Sequence, residues 1–185
     1  MPPKLLNIIG IDPGKVTGWA LWKIPRASMY AGGESEIVER YSGEIRGRES
    51  DQVFKLCRFF RTVQGLDYKL GPAVVCESFD FGSPLSDPEV YSPVRIAAML
   101  KFCFEQPSLK QIGDARLVMQ TRTMAKKTAT DERLKAWGLW QPSSADHIRD
   151  AERHIVTALR RARQKREFRD RLWDRSIAII NEGDR

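Results

Sequence analysis

Runs of apolar residues alternate with helical periodicities along this chain, and the alternation predicts both strands and helices. The predicted strands are Leu5–Asp12, Val16–Trp22, Val38–Ile45, Ala73–Glu77 and Arg116–Gln120. The predicted helices are Asp51–Gln64, Val94–Phe104, Asp131–Trp137 and a long helix that begins near Ala145, with Ser143 or Ser144 as its N-cap. Gly82 and several prolines predict a loop over Phe79–Pro93.

The order of these elements predicts the fold class. Three strands close together in sequence favour antiparallel pairing, and the alternation of helices and strands after them favours parallel pairing. We therefore predict an α/β fold with a mixed five-stranded sheet and helices on both faces. With 185 residues, the chain suits one domain with one sizeable core.

The composition is ordinary for a globular protein, with 42% hydrophobic and 30% charged residues. No apolar run approaches the length that spans a bilayer, and the N-terminus lacks the small-residue cleavage site of a signal peptide. Cys57, Cys76 and Cys103 have apolar neighbours and form no paired metal-binding motif, which favours reduced, buried thiols. These features predict a cytoplasmic protein without a membrane partner.

The formal net charge of +7 favours a polyanionic partner. Ten of the basic residues fall between Arg149 and Arg175, where five acidic residues accompany them. This stretch is either a solvated helix face or a surface that contacts phosphates, and the sequence leaves both readings open.

Acidic residues fall at the ends of predicted elements. Asp12 closes the first strand, Glu77 closes the fourth, and Asp146 and Asp150 open the last helix. If the first and fourth strands are neighbours, a helix that starts across their ends brings these carboxylates together. Clustered carboxylates repel each other, and a hard cation such as Mg²⁺ or Mn²⁺ relieves that repulsion. Two such ions roughly 4 Å apart would stabilise both oxygens of a phosphodiester displacement.

Helical geometry separates the candidates on the last helix. An apolar stripe runs from Ile148 to Ala162, and His147 borders it, while Asp150 lies further round and Asp146 furthest. His147 and Asp150 are therefore the pair expected to face the sheet, with Asp146 at the rim. Each residue also has a simpler reading: Asp12 as a turn former, Asp146 as a partner of the helix dipole, and His147 as a surface histidine.

Three motifs resemble those of RuvC-type Holliday junction resolvases. Ile8–Gly14, Ile-Ile-Gly-Ile-Asp-Pro-Gly, followed by Thr17–Ala20, is similar to the first motif of that family, and Val74–Glu77 is similar to its strand-end glutamate motif. Ala145–Ala151 resembles the final motif, in which an Asp or His and an Asp three residues later complete the site. His147 and Asp150 match that spacing, while Asp146 is one position early.

The resemblance implies a ribonuclease H-like nuclease domain over residues 1–165, followed by a helical extension or tail over residues 166–185. It implies a homodimer that binds branched DNA, in a bacterium or in the host of a virus. Asp12, Glu77, His147 and Asp150, with Asp146 as a further candidate, would hold two Mg²⁺ ions, for which Mn²⁺ could substitute. The implied DNA-binding residues are Phe79 and Phe81 near the junction centre and Arg122, Lys126, Lys127, Arg133 and Lys135 before the last helix.

Other functions are compatible with the same motifs. A ribonuclease H-like nuclease could act on other branched DNA, such as flaps or forks, and a non-catalytic protein could bind junctions without cleaving them. Gly10–Gly14 also resembles the first phosphate loop of sugar and acetate kinases, but the chain is too short for their two lobes. The complete carboxylate set favours the nuclease.

Overall fold

The structure, a computed structural model, describes residues 5–25, 37–64, 71–79, 91–106, 115–142, 145–173 and 179–181. Its strands are β1 (Leu5–Asp12), β2 (Val16–Pro25), β3 (Glu39–Arg46), β4 (Ala73–Ser78), β5 (Arg116–Thr121) and β6 (Ile179–Asn181). Its helices are α1 (Glu49–Gln64), α2 (Tyr91–Glu105), α3 (Arg122–Thr128), α4 (Asp131–Ala136), α5 (Asp146–Gln164) and α6 (Arg166–Trp173).

The six strands form one mixed sheet in the order β3-β2-β1-β4-β5-β6. The first three strands pair antiparallel, and β4, β5 and β6 add in parallel on the other side of β1. β1 is buried along nearly its whole length because helices cover both faces, which explains its continuous apolar sequence. β1 and β4 are neighbours, so the carboxylates near their ends lie at the same edge of the sheet.

Two apolar layers hold the helices on the sheet. Successive residues of a strand point to opposite faces, so Ile8 packs under α5 whereas Ile9 packs under α1 and α2. Ile155 of α5 belongs to the first layer, and Phe60 of α1 and Leu100 of α2 belong to the second. At about 25 cal/mol per Å² of apolar surface, such layers supply the main favourable free energy of folding.

A buried ion pair connects the outer part of the sheet to α5. Arg40 of β3 donates from Nε to Oε1 of Glu152 at 2.7 Å, and its Nη2 lies 2.6 Å from Oε2. Its guanidinium also contacts the carbonyl oxygen of Leu139 at 2.9 Å and stacks over Trp22 with 5.2 Å to the ring centroid. These contacts compensate the burial of Glu152, and they fix α5 across the sheet.

The predicted mixed sheet with helices on both faces is confirmed, and β6 joins it as a short additional strand. Several bounds differ from the prediction. β2 continues to Pro25, and α2 begins at Tyr91 inside the predicted loop, because Pro93 is tolerated in the first turn of a helix. The N-cap of α5 is Ala145 rather than a serine, and its side chain makes no capping hydrogen bond.

The segment predicted as a helical extension or tail contributes both α6 and β6. α6 packs against α5, and its Phe168 and Leu172 are buried in the layer beneath that helix. Among the described residues, free Cys57 and Cys76 are buried and free Cys103 is half-buried. Within the same part of the chain, every helix is too short or too polar to cross a bilayer.

Candidate metal and nucleic-acid site

Asp12 lies at the end of the central strand, where β1 emerges from the core. It is only 8% exposed, and the strand beside it in parallel, β4, carries Glu77, which is 2% exposed. The backbone therefore places two buried carboxylates at one edge of the sheet, as the sequence predicted. Buried carboxylates are costly unless they receive hydrogen bonds or bind a cation.

Two glycines allow α5 to lie directly on the strands that carry this edge. A Cβ atom at Gly10 of β1 would overlap the carbonyl oxygen of Ala151, and one at Gly18 of β2 would overlap that of His147. Only residues without a side chain permit this approach. The first turns of α5 consequently reach the end of β1, where His147 and Asp150 meet Asp12.

His147 contacts Asp12 directly. Its Nδ1 lies 2.9 Å from Oδ2 of Asp12, within hydrogen-bond distance. The His147 side chain is 47% exposed, whereas that of Asp12 is 11% exposed, so the imidazole stands between the buried carboxylate and solvent. Its position at the opening of α5 agrees with the spacing argument that paired it with Asp150.

Asp150 sits among cations. Arg153 forms a close ion pair with it, and Nζ of Lys126 lies 3.4 Å from its Oδ2. Arg153 also pairs with Asp131 of α4 and donates from Nε to the carbonyl oxygen of Ala129 at 3.0 Å. This arginine thus joins α5 to the α3–α4 segment and holds the Asp150 carboxylate at the site.

Glu77 has a partner on the buried side. Oε2 of Glu77 lies 3.3 Å from Nε2 of His154, and Nδ1 of the same ring lies 2.8 Å from Oε1 of Gln120. His154 is 1% exposed and Gln120 is fully buried. The sequence predictions missed both residues, although His154 lies seven residues after His147, and two residues seven apart share a helix face.

The pKa of Asp12 depends on its burial and on the charged groups around it. Burial raises the pKa of this carboxyl from 3.8 to about 6. The hydrogen bond with His147 lowers the pKa, whereas the negative charges of Glu77 and Asp150 raise it. The three carboxylates from β1, β4 and α5 are therefore close enough to repel one another, as expected for a site that attracts cations.

One cleft of about 500 Å³ contains these groups. Of the predicted site residues, it is lined by Asp12, Glu77, Asp146, His147, Asp150, Phe79, Arg122 and Lys126. Asp146 is at the rim, with a side chain 85% exposed and paired to Arg149. Residues without a predicted site role also line the cleft, namely Pro13, Gly14, Lys15, Pro93, Asp131, Arg149 and Arg153.

Other residues predicted to bind DNA do not line the cleft. The Arg133 guanidinium donates to the carbonyl oxygens of Lys127 and Thr128 at 2.8 and 3.0 Å, which gives it a local structural role. Nζ of Lys135 lies 4.8 Å from the centroid of the Trp140 ring. Lys127 is exposed on α3. Phe81 lies outside the described residues.

The arginines of the basic stretch that begins at Arg149 make two kinds of contact. Arg149 and Arg153 line the cleft. Further along the stretch, Arg160 stacks over Trp137 and Arg161 over Phe168, with 4.0 and 4.5 Å from the guanidinium carbon to the ring centroid. Among the described residues of the stretch, Arg149 and Arg153 thus face the acidic site, while Arg160 and Arg161 pack against aromatic rings.

No family model and no curated protein matches the sequence. Among solved structures, the fold is similar to a structure of Thermus thermophilus RuvC, with a TM-score of 0.57 and 14% identity. It is also similar to T. thermophilus RuvC in complex with a Holliday junction substrate, with a TM-score of 0.56 and 13% identity. Each comparison covers 86% of this chain and 96% of that chain.

The chain has a RuvC-like fold. This finding confirms, at the level of the fold, the resemblance indicated by the motifs around Asp12, Glu77 and Asp150, and with it the ribonuclease H-like α/β class.

The chemistry of the cleft fits a hard divalent cation. Five acidic residues and one histidine line the cleft, and carboxylate oxygens are preferred ligands of Mg²⁺ and Mn²⁺. In the described part of the chain, however, no three such side chains are already arranged around one point to hold an ion. Asp150 faces Arg153 and Lys126, so binding requires its carboxylate to turn towards the cleft. Oε2 of Glu77 faces His154, and Glu77 also lines the cleft.

Proposed function

We propose that this protein is a magnesium-dependent, structure-selective DNA endonuclease that resolves four-way junctions by paired symmetric nicks. The observation that carries the proposal is the convergence of Asp12, Glu77 and Asp150, from three elements, on one cleft with basic side chains at its edges. The RuvC-like fold supports it, because one similar structure is a complex with a Holliday junction substrate.

Asp12, Glu77, His147 and Asp150 would hold two Mg²⁺ ions, with Mn²⁺ as a substitute. When bound, such ions stabilise the negative charge that develops on the attacking and leaving oxygens of a phosphodiester. His147 would either complete the ligand set or accept a proton from the attacking water; its contact with Asp12 positions the ring for both roles.

The cations of the cleft would bind the DNA backbone. Arg122 and Lys15 are exposed and line the cleft, and the Lys126 side chain is 45% exposed beside Asp150. Contacts from such groups to phosphates fix the position of the DNA without reading its sequence. Phe79, which lines the cleft and is partly buried, would contact bases near the cleaved strand.

Two opposed nicks require two sites related by the symmetry of the junction. A homodimer supplies them, because a two-fold dimer presents two identical clefts to a two-fold substrate. Exposed aromatic side chains on the helices opposite α5, Phe54 of α1 and Phe102 of α2, offer an apolar surface for that dimer.

The experiment that tests this function compares synthetic four-way junctions, flaps, forks and linear duplexes, each incubated with and without Mg²⁺. We expect symmetric nicks in the junction, only with Mg²⁺ present. Asp12→Asn should abolish cleavage, by at least about 100-fold, and leave junction binding in a gel-shift assay largely intact, because the variant removes one ligand oxygen but no basic contact.

Other outcomes of this experiment would contradict the proposed function. Preferential cleavage of flaps or forks would identify a nuclease for other branched DNA. Junction binding without Mg²⁺-dependent nicking would identify a non-catalytic binding protein, and full cleavage by Asp12→Asn would reject the site assignment. Asp146→Asn is a matched control at the rim of the cleft, where the exposed carboxylate already pairs with Arg149.

A further inference from the structure

The buried pair His154–Gln120, which contacts Glu77, has no part in the function proposed above. His154 is 1% exposed and its ring lies between the two other side chains, with 3.3 Å to Glu77 and 2.8 Å to Gln120. Its neighbours on α5, Ile155 and Val156, are apolar core residues, so an apolar residue would satisfy packing at this position. A histidine there supplies hydrogen bonds instead.

The two hydrogen bonds determine which ring nitrogen of His154 carries the hydrogen. A carboxylate only accepts hydrogen bonds, so the hydrogen of His154 must be on Nε2, which then donates to Glu77. In a neutral ring Nδ1 is the acceptor, and the amide nitrogen of Gln120 must face it. Rotating the Gln120 amide by half a turn satisfies this requirement, and it gives a partner to the amide nitrogen that otherwise has none.

The same helix therefore reaches both carboxylates at the strand ends. His147, Asp150 and His154 are at positions i, i+3 and i+7 of one face of α5. His147 contacts Asp12, and His154 contacts Glu77 from the buried side while Glu77 also lines the cleft. Glu77 is the second-last residue of β4, and His154 of α5 contacts its carboxylate there.

We propose that His154 is a positioning residue that orients the Glu77 carboxylate for metal binding, with Gln120 fixing the tautomer of its ring. The inference rests on the proposed function, since it assigns Glu77 as a ligand. Hydrogen bonds from outer groups to ligating side chains commonly change metal affinity by about 10- to 100-fold.

Two substitutions separate positioning from packing. The amide of His154→Gln reaches the position of Nε2 and keeps a donor for Glu77, whereas the shorter amide of His154→Asn reaches only the position of Nδ1. We expect His154→Asn to weaken Mn²⁺ binding to the metal-free, full-length protein by about 10- to 100-fold in isothermal titration calorimetry. His154→Gln should bind Mn²⁺ with an affinity close to that of the wild type. In a Glu77→Gln background, His154→Asn should cause no further loss.

A spectroscopic measurement tests the same contact without metal. In ¹⁵N-labelled protein, Nε2 of His154 should carry the hydrogen, and its resonance should shift in Glu77→Gln but not in Asp146→Asn. A ring whose Nε2 carries no hydrogen would overturn the proposal. Circular dichroism and thermal unfolding of each variant distinguish a lost contact from a lost fold.

The outcomes distinguish this inference from the proposed function. If Asp12→Asn abolishes Mn²⁺ binding but folded His154→Asn binds as the wild type does, the positioning role is wrong and the metal site stands. If Asp12→Asn binds Mn²⁺ normally, the metal site itself is wrong. If His154→Asn does not fold, Gln120→Leu takes its place: it should weaken binding while His154→Gln retains it, and equal affinities in the two variants would overturn the role.

Discussion

At the level of single residues, opposing effects act on the pKa of the Asp12 carboxyl. Burial raises its pKa from 3.8 to about 6, while His147 acts against that rise. Because the folded state has the higher pKa, it binds the proton more tightly than the unfolded chain does. The free energy of unfolding of the metal-free protein therefore falls as the pH rises through the window from about 4 to 6.

Asp12→Asn should remove this pH dependence. One pKa unit corresponds to about 1.4 kcal/mol, so we expect the variant to be more stable than metal-free wild type at pH 7 by about 1 to 3 kcal/mol. Below pH 4 the two proteins should have similar stability. Urea unfolding at a series of pH values, with EDTA present, measures the difference. The same pH dependence in both proteins would contradict the assignment of the raised pKa to Asp12.

The site residues that the sequence predicted are those at the ends of strands and at the start of the last helix. Asp12 and Glu77 follow apolar strands, and His147 and Asp150 open the last helix, so chain position alone predicts their meeting. Arg153 and His154 carry no such signal. They act in the middle of α5 through contacts with Asp131 and Gln120, which are distant in sequence, and only the packed structure reveals these partners.

At the level of elements, the contact between α5 and the first two strands determines the geometry of the site. Apolar periodicity predicted α5 and the strands well, because burial on one or two faces leaves a clear sequence pattern. It missed α3, whose seven residues include only two apolar side chains, Met124 and Ala125. The sequence signal for α3 is its N-cap, Thr121, whose side chain accepts a hydrogen bond from the backbone nitrogen of Met124.

Gly18→Ala should disturb the site through this contact. The added methyl group overlaps the carbonyl oxygen of His147, so the first turn of α5 must move away from β2 and from Asp12. We expect a loss of junction cleavage of at least about tenfold, together with a destabilisation of about 1 to 3 kcal/mol from overpacking. Cleavage assays and urea unfolding on the same preparation measure the two effects.

Gly138→Ala is the matched control for that substitution. Its φ of +66° makes an alanine unfavourable, so it should also lose stability, by about 1 kcal/mol. A Cβ atom there meets no other group, and Gly138 does not line the cleft, so cleavage should be retained. Equal losses of cleavage in the two variants would mean that reduced stability, rather than displacement of α5, causes the effect.

At the level of the whole molecule, the sheet separates two surfaces with different properties. α5 and the strand ends form the acidic cleft with its basic side chains, whereas α1 and α2 cover the opposite face. On that opposite face, Phe54 is 66% exposed and Phe102 is 57% exposed. Large aromatic side chains exposed to this extent are typical of protein interfaces.

Phe102→Glu should shift the proposed homodimer towards the monomer, because a buried, unpaired carboxylate is unfavourable in an apolar interface. We expect the mass from analytical ultracentrifugation to fall by half at micromolar concentration and junction nicks to become uncoupled. Tyr41→Ser is the control, since Tyr41 is similarly exposed but lies on β3. A wild-type monomer, or an unchanged dimer in both Phe102→Glu and Phe54→Glu, would contradict this interface.

The position of β6 in the sheet has a consequence for biosynthesis. β5 pairs with β4 on one side and with residues 179–181 on the other, and α3, α4, α5 and α6 separate these residues from β5 in the chain. At the rates of ribosomal elongation, the outer edge of β5 remains without its neighbour for several seconds. Open strand edges recruit other chains, so the nascent polypeptide is most vulnerable to misassociation in that interval, when α5 has already emerged.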